Sequence, residues 1–151
     1  MIIPRPPKTA LSVFTKTPLL GQCKTRLIPL LGDQGALAAH CELVQYALNQ
    51  IAEVYDISPS IWVTEKDLQT QRWADRWNIP LEQQRGDNLG ERMFHCLNQL
   101  CGHSSGGAIL MGTDCPEINS NYIDLAVQSL QSHDMVLGPA EDGGYGLIGM
   151  H

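Results

Sequence analysis

Short apolar runs alternate along this chain with longer segments in which apolar residues recur every three or four positions. The strand-like runs lie at 10–14, 60–64, 79–83, 108–111, 134–137 and 145–149. Helix-like segments separate most of them, and Pro80 favours an edge position or a strand start for its run. This alternation predicts an α/β fold in which helices cover a largely parallel sheet.

The clearest helical stripe follows Gly32, and Asp33 is predicted to cap that helix. Steps of four and three place six side chains on one face, which we expect to be buried: Leu37, Cys41, Val44, Leu48, Ile51 and Tyr55. Two later helices are predicted to use Leu68 and Leu89 among their apolar contacts. The periodicity therefore predicts a defined inward face for each of these helices.

The length of 151 residues fits one domain, and 43% hydrophobic with 17% charged residues is ordinary globular composition. No apolar run is long enough to span a bilayer, and the first residues lack a signal-peptide pattern, so we expect a cytoplasmic protein. The chain stops after strand-like sequence. We therefore expect a single domain, 1–151, that lacks its C-terminal closing segment.

Cysteine and histidine spacings give no sign of a metal knuckle. The five cysteines are odd in number and contain no C-x-x-C pair, which argues against a disulfide framework or a zinc site. The five histidines show neither H-x-x-x-H nor H-E-x-x-H spacing, so each is predicted to be structural or exposed.

The charges are divided between the two ends of the chain. Residues 1–26 contain five basic residues and no acidic one, namely Arg5, Lys8, Lys16, Lys24 and Arg26. Residues 93–151 contain no Lys or Arg and six carboxylates, namely Asp114, Glu117, Asp124, Asp134, Glu141 and Asp142. This division suggests two halves of a polyanion site, one meeting phosphate directly and the other through a cation. A solvated surface with chance clustering is the alternative, and nucleic acid is not an expected partner, since aromatic residues are only 6% of the chain.

The first candidate site segment is the loop that follows the first strand. It carries Lys16, Lys24 and Arg26 as cationic donors and Gly21 for close backbone approach. Ligands of open α/β sheets bind beyond the carboxyl ends of the strands, where this loop departs. It is predicted to bind phosphate, although it is not a P-loop; a mobile basic loop is the alternative.

The second segment, 110–116, places an acid at the end of an apolar strand. Gly112 is followed by Thr113 and Asp114, and Pro116 keeps the residue before it extended, so the turn is rigid. A carboxylate fixed there could hold a hard divalent cation beside phosphate oxygens. The alternative is an aspartate that caps a turn or the next helix.

The third segment, 138–149, is rich in glycine and acidic at its crest. Asp142 is predicted to contact the metal or to act as general base toward an acceptor hydroxyl. Gly143, Gly144 and Tyr145 are predicted to line the acceptor side, because glycine permits close contacts that other residues do not. A tight acidic hairpin would explain the same pattern.

The fourth segment, 86–93, opens a helix between glycines. Such a helix N-terminus can receive an anion, and Gly90 lets a ligand ring approach. Gly90 and Arg92 are therefore candidates for nucleotide contact. Asn88 and Glu91 are also spaced as a capping box, so simple helix capping is the alternative.

Four ordered motifs together resemble a known family. They read K-T-P-x-x-G-x-x-K-T-R-L, G-D-x-L-G-E-R-M, G-T-D-C-P and G-P-A-x-D-G-G-Y-x-L-I-G. The chain is similar over about residues 11–150 to small bacterial glycosyltransferase-like proteins of the GT-A, or nucleotide-diphosphosugar transferase, superfamily, some of them linked to arsenosugar biosynthesis. The resemblance implies a Rossmann-like three-layer α/β/α sandwich with a mostly parallel mixed sheet.

The same resemblance implies metal-dependent glycosyl transfer from a nucleotide-diphosphate sugar. Mg²⁺ or Mn²⁺ would lie on Asp114, Lys24 and Arg26 would meet donor phosphates, and Asp142 would lie on the acceptor side. The D-x-D motif of glycosyltransferases is not intact, because residues 113–115 supply one carboxylate.

Two alternatives and one further question remain open from the sequence. A nucleotidyltransferase similar to the guanylyltransferases of cofactor biosynthesis would share the fold and the Lys-x-Arg-Leu-like first loop. The L-x-G-G-x-x-x-R-M-G loop of the molybdenum-cofactor type is missing. A non-catalytic nucleotide-binding protein is the other alternative. Homo-oligomer formation is also left open.

Overall fold

A computed structural model describes residues 8–151, so Arg5 of the basic first quarter lies outside the described residues. The strands are β1 (Thr9–Thr15), β2 (Ile57–Val63), β3 (Leu81–Gln83), β4 (Ala108–Met111), β5 (Met135–Pro139) and β6 (Tyr145–Met150). The helices are α1 (Ile28–Ile51), α2 (Leu68–Trp77), α3 (Leu89–His103) and α4 (Ser120–Leu130). Within these residues strands and helices alternate as predicted until the β5–β6 hairpin.

The six strands form one mixed sheet in the order β3-β2-β1-β4-β6-β5. Strands β3, β2, β1 and β4 are parallel, while β6 runs antiparallel to both β4 and β5. The chain builds outward from β1 to β3 and then returns to place β4 on the other side of β1. The carboxyl ends of β1 and β4 therefore flank the point where the strand order reverses.

Helices pack on both faces of this sheet and complete three layers. One core joins α1, α2 and α4 to the sheet through residues such as Val44, Trp73 and Ile123. The other core joins α3 to the opposite face through Cys96 and Leu97. All seven residues of β1 are buried. The α/β/α sandwich with a mostly parallel mixed sheet is confirmed.

The inward face of α1 differs from the predicted stripe. Val44, Leu48 and Ile51 are buried as predicted, but the face also contains Ala36, His40 and Ala47. Tyr55 is 84% exposed because α1 ends at Ile51. The prediction favoured large apolar residues, whereas small alanines let the helix pack closely on the sheet.

The start of α1 and two first-turn leucines also differ from expectation. Helical structure begins at Ile28, and Gly32 interrupts it with φ 75° and ψ 172°, so one turn precedes the predicted start. Leu68 and Leu89, the first residues of α2 and α3, are 70% and 64% exposed, so their predicted burial is wrong. In the described part of the chain, no helix combines the length and apolar character needed to cross a bilayer.

Gly107→Ala should destabilise the fold by about 2 kcal/mol, because alanine is strained at positive φ and has no room there. Gly107 has φ 83°, and an added Cβ would lie 2.6 Å from the Met150 carbonyl oxygen. Gly102→Ala is the matched control, since nothing lies within 4 Å of an added Cβ in that helix. Urea unfolding measures both variants, and equal stabilities would contradict this prediction.

Candidate functional site

The carboxyl ends of β1 and β4 define the candidate site. These strands are neighbours in the sheet, and the loops that leave them go in opposite directions, β1 toward β2 and β4 toward α4 and β5. Such a reversal opens a crevice at the carboxyl edge, which is where open α/β sheets bind ligands. The basic loop leaves β1 at this edge, and the acidic turn leaves β4 beside it.

The basic loop is anchored at both ends. Thr17 is buried, its backbone N–H donates to Thr64 Oγ1 at 3.0 Å, and Glu65 N–H donates to Thr17 Oγ1 at 2.8 Å. Near the other end, the buried Cys23 thiol donates to the Thr17 carbonyl at 3.4 Å. The loop therefore returns to its own base and presents the residue after Cys23 at a fixed place.

That residue is Lys24, and it contacts Asp114. Lys24 has a left-handed backbone, φ 51° and ψ 47°, and its carbonyl accepts from Leu27 N–H at 2.8 Å to open a 3₁₀ turn, Thr25–Leu27. Its Nζ lies 2.8 Å from Asp114 Oδ1. Within residues 8–151 this is the only salt bridge. The structure thus joins the leading basic and acidic candidates, although they are 90 positions apart.

The remaining basic-loop candidates are more open. Lys16 and Arg26 are exposed, and Gly21 lies in a turn with φ 79°. Neither Lys16 nor Arg26 pairs with a carboxylate among the described residues. They surround Lys24 along the chain and leave cationic groups available to solvent.

The acidic turn after β4 is fixed by the neighbouring strand. Gly112 N–H donates to the Gly146 carbonyl at 3.0 Å, and Thr113 is buried. Asp114 itself is 70% exposed at its side chain, so most of its carboxylate is open. The site combines a rigid backbone with an accessible acid.

Cys115 lies next to Asp114, and its surroundings include the second candidate carboxylate, Asp142. Burial raises the pKa of the Cys115 thiol, and the carboxylates of Glu117, Asp114 and Asp142 raise it further. The thiol is therefore not a ready nucleophile. Because β6 runs antiparallel to β4 with Met111 opposite Leu147, the crest of the β5–β6 hairpin, with Asp142, lies at the same edge as Asp114.

The hairpin crest has the geometry of a tight turn. Gly144 N–H donates to Asp142 Oδ1 at 3.0 Å, and Ala140 N–H donates to the Gly144 carbonyl at 2.8 Å. Gly143 has φ 89°, which explains the glycine there. Asp142, Gly143, Gly144 and Tyr145 are all exposed. The predicted acceptor-side residues therefore form one open surface.

The start of α3 is organised by its own capping contacts. Glu91 N–H donates to the Asn88 side chain at 2.9 Å, whereas the Glu91 carboxylate accepts from Asp87 N–H at 2.8 Å. Arg92 Nε donates to the Gly86 carbonyl at 3.0 Å. Gly90 is exposed. Among residues 8–151, Arg92 forms no ion pair with Asp114.

The comparisons with known proteins bear on these segments. The family DUF2064, described as uncharacterized proteins conserved in bacteria, matches residues 47–151. The chain belongs to this family. Three of the four sequence motifs lie inside the matched range, and the basic loop precedes it. No curated protein matches the chain.

Solved structures place this DUF2064 member among nucleotide-handling transferase folds. A candidate nucleotide-diphospho-sugar transferase from Desulfovibrio desulfuricans G20 is 30% identical, with a TM-score of 0.85, over 95% of this chain and 63% of that one. A cytidylyltransferase from Leptospira borgpetersenii serovar Hardjo-bovis (strain JB197) is 13% identical, with a TM-score of 0.60, over 95% and 60%. The resemblance to the nucleotide-diphosphosugar transferase superfamily is confirmed.

A third similar structure is CMP:2-keto-3-deoxy-manno-octonic acid synthetase in complex with CTP. It is 14% identical, with a TM-score of 0.56, over 86% of this chain and 51% of that one. The DUF2064 chain thus spans 51–63% of the length of these three structures. The two less similar structures support the fold alone.

His40 is a residue of the site that the sequence analysis missed. It projects from the buried face of α1, and its Nε2 lies 2.8 Å from the Lys16 carbonyl and 3.5 Å from Thr15 Oγ1. Because a carbonyl accepts, Nε2 carries the proton and donates to it. The spacing Ala36, His40, Val44 places His40 on one helix face, which is the signal that could have found it.

Burial lowers the pKa of His40, and the ammonium groups of Lys24 and Lys16 also lower it; the Lys16 carbonyl and Asp114 act in the opposite direction. The neutral ring therefore fits the folded state. The contribution of neutral His40 to stability is complete above 6.5, the ordinary pKa of histidine. It falls as the pH drops through the lowered pKa of His40 in the folded protein.

We therefore expect the stability difference between wild type and His40→Gln to shrink between pH 7.5 and pH 5.5. Urea unfolding at both pH values measures this difference. His133→Gln is the control, because His133 is exposed. A difference that grows toward acid pH would contradict the neutral, buried assignment.

The carboxylates of the site suit a cation that takes only part of its ligands from the protein and the rest from a bound substrate. Among residues 8–151, no group of three or more His, Cys, Asp or Glu side chains is arranged to hold a metal. Asp114 instead offers one exposed carboxylate, whose ionic partner in the structure is the Lys24 ammonium. This arrangement fits Mg²⁺ or Mn²⁺, which binds through one or two carboxylates, waters and substrate phosphates.

Proposed function

We propose that this protein transfers a sugar from a nucleotide-diphosphate sugar to an acceptor hydroxyl. The observation that carries the proposal is the Lys24–Asp114 pair at the strand-order reversal, since it brings together the cation proposed to bind phosphate and the carboxylate proposed to bind a metal. The similarity to the Desulfovibrio candidate transferase over 95% of the chain supports the same reaction class.

In this reaction the bond between the sugar C1 and the diphosphate oxygen breaks, and a bond from the acceptor oxygen to C1 forms. Lys24 would bind the departing diphosphate together with Lys16 and Arg26, because developing charge is stabilised by fixed cations. A divalent cation on Asp114 would supply further charge neutralisation. Thr113, Gly21, Gly90 and Arg92 are proposed nucleotide contacts.

Asp142 is the proposed general base. Its carboxylate is exposed at the edge where Asp114 lies, and the Gly144 N–H orients one of its oxygens at 3.0 Å. The acceptor hydroxyl would lose its proton to Asp142 as its oxygen attacks C1. Gly143, Gly144 and Tyr145 leave an open surface on which an acceptor can lie.

The test is a panel of nucleotide-diphosphate sugars incubated with the protein and Mn²⁺, with release of the nucleoside diphosphate as the readout. Calorimetric titration of nucleoside diphosphates, with and without Mn²⁺, runs in parallel. We expect one nucleotide class to bind more tightly with Mn²⁺ and its sugar conjugate to be consumed. Absence of both binding and consumption for every compound would refute the proposal.

Nucleotidyl transfer is the second candidate, favoured by the fold shared with the cytidylyltransferase and with the synthetase that holds CTP. Pyrophosphate release from a nucleoside triphosphate in the presence of a sugar phosphate or sugar acid distinguishes it from nucleoside diphosphate release. A non-catalytic nucleotide-binding protein would show neither product, and its nucleotide affinity would not change in Asp114→Asn.

A further inference from the structure

The salt bridge at the site gives each proposed ligand a competitor within the protein. Lys24 Nζ lies 2.8 Å from the Asp114 carboxylate, so the group that would bind diphosphate is engaged by the group that would bind the cation. Within residues 8–151 no other ion pair is present. The sequence has 16 carboxylates and 10 basic residues, so many pairings are available to it. That Lys24 pairs with Asp114 is therefore a consequence of how the fold positions these two residues.

The backbone holds Lys24 at this place. The preceding Cys23 is buried, and its thiol donates a hydrogen bond to the Thr17 carbonyl. The Lys24 carbonyl accepts a hydrogen bond from Leu27 N–H. The Lys24 side chain is 20% exposed, whereas that of Asp114 is 70% exposed. The ammonium therefore occupies the inner side of the pair, and ions from solvent approach the carboxylate from outside.

The charges at the pair favour two ions together over either ion alone. A cation on Asp114 without phosphate would lie beside a displaced, unpartnered ammonium. A diphosphate on Lys24 without a cation would lie beside the released Asp114 carboxylate. When both bind, each charge has an opposite partner, and like charges are no longer left a few ångströms apart.

We propose that Lys24 is a specificity-determining residue, which makes the site select a metal-complexed diphosphate over the free cation or the free diphosphate. This inference rests on the proposed function, since that assigns the cation to Asp114 and the phosphates to Lys24. An exposed ion pair is weak, so the exchange of partners costs little. Free nucleotide and free metal would each bind more weakly than the complex because of the charge they leave unpaired.

The test measures each ion alone, by calorimetry on the full chain, with no nucleotide or sugar present. Mn²⁺ should bind about fivefold more tightly to Lys24→Met than to wild type, because its competitor is gone. Inorganic pyrophosphate, titrated with EDTA present, should bind about fivefold more tightly to Asp114→Asn, because Lys24 is released and the repelling carboxylate is removed.

Lys8→Met is the matched control for the change in net charge. Lys8 precedes β1 and lies at the opposite end of that strand, so this variant should bind Mn²⁺ within about twofold of wild type. Lys24→Gln repeats the Lys24 arm if the Met variant folds poorly, as judged by its thermal unfolding midpoint.

Unchanged or weaker Mn²⁺ binding in the Lys24 variants, or no Mn²⁺ binding in any of them, would overturn the inference. Unchanged or weaker pyrophosphate binding in Asp114→Asn would do the same. Because the probes contain neither nucleotide nor sugar, the two ideas are tested separately. The ion-selectivity inference can fail while sugar transfer is observed, and it can hold while no sugar transfer is found.

Discussion

Asp114→Asn should lower the rate of nucleotide-sugar consumption by about 100-fold or more, because removal of one charge-stabilising contact at a reacting phosphate commonly has that effect. In residues 8–151 no cluster of ligating side chains stands ready to replace the lost carboxylate. The amide has almost the same shape, so the turn after β4 should keep its structure. The measurement is kcat/KM at saturating Mn²⁺.

The fold should tolerate this change. Asp114 is 70% exposed, and an exposed ion pair contributes about 0–1 kcal/mol, so the thermal unfolding midpoint should move little. Asp134→Asn is the matched control, since Asp134 is exposed and precedes β5 at the far end of the sheet. Activity of Asp114→Asn within about threefold of wild type would remove Asp114 from the proposed machinery.

The sheet could be predicted because its signals are local. Apolar runs of strand length and the cap at Asn88 each depend on a few neighbouring residues, and the Asn88 side chain accepts from Glu91 N–H as that cap requires. The division of charge and the shared carboxyl edge predict that Lys24 and Asp114 belong to the same site, but they do not predict an ion pair between the two. Its 2.8 Å contact could not be predicted, because it depends on the left-handed backbone of Lys24.

His40 and the true face of α1 were missed for a different reason. Hydrophobicity alone selects Leu37 and Cys41, whereas packing density selects the small Ala36 and Ala47, which turns the buried face by about one residue. His40 then lies inside, where the Lys16 carbonyl satisfies it. A polar residue on an apolar face can be recognised only when its partner is known, and this partner lies 24 positions away.

Gln84, at the strand ends, is a second buried polar residue that could not be recognised from the sequence. It follows β3 and is buried, and its Nε2 donates to the Thr15 and Trp62 carbonyls at 3.0 Å each. Its backbone N–H donates to the Val63 carbonyl at 2.8 Å. One side chain thus ties the ends of three strands together directly before Lys16. No sequence pattern marks it, because its partners are backbone groups of distant segments.

Gln84→Glu should therefore lower the free energy of unfolding by about 3–5 kcal/mol at pH 8, the cost of a buried charge without a partner. The carboxylate that replaces the amide would face two carbonyl oxygens and could donate to neither. Gln83→Glu is the matched control, because Gln83 is the exposed neighbour and its change should be within about 0.5 kcal/mol of zero.

The pH dependence of this variant identifies the cause. Burial raises the pKa of the introduced carboxyl above its ordinary value, so the protonated form, which can donate one hydrogen bond, suits the folded state. Stability is then retained at pH values below the ordinary pKa and lost as the pH rises through the raised one. Urea unfolding should show a smaller difference from wild type at pH 5 than at pH 8. An equal loss at both pH values would indicate that Gln84 acts through its shape, and the assignment of its two hydrogen bonds as the link between the strand ends would be wrong.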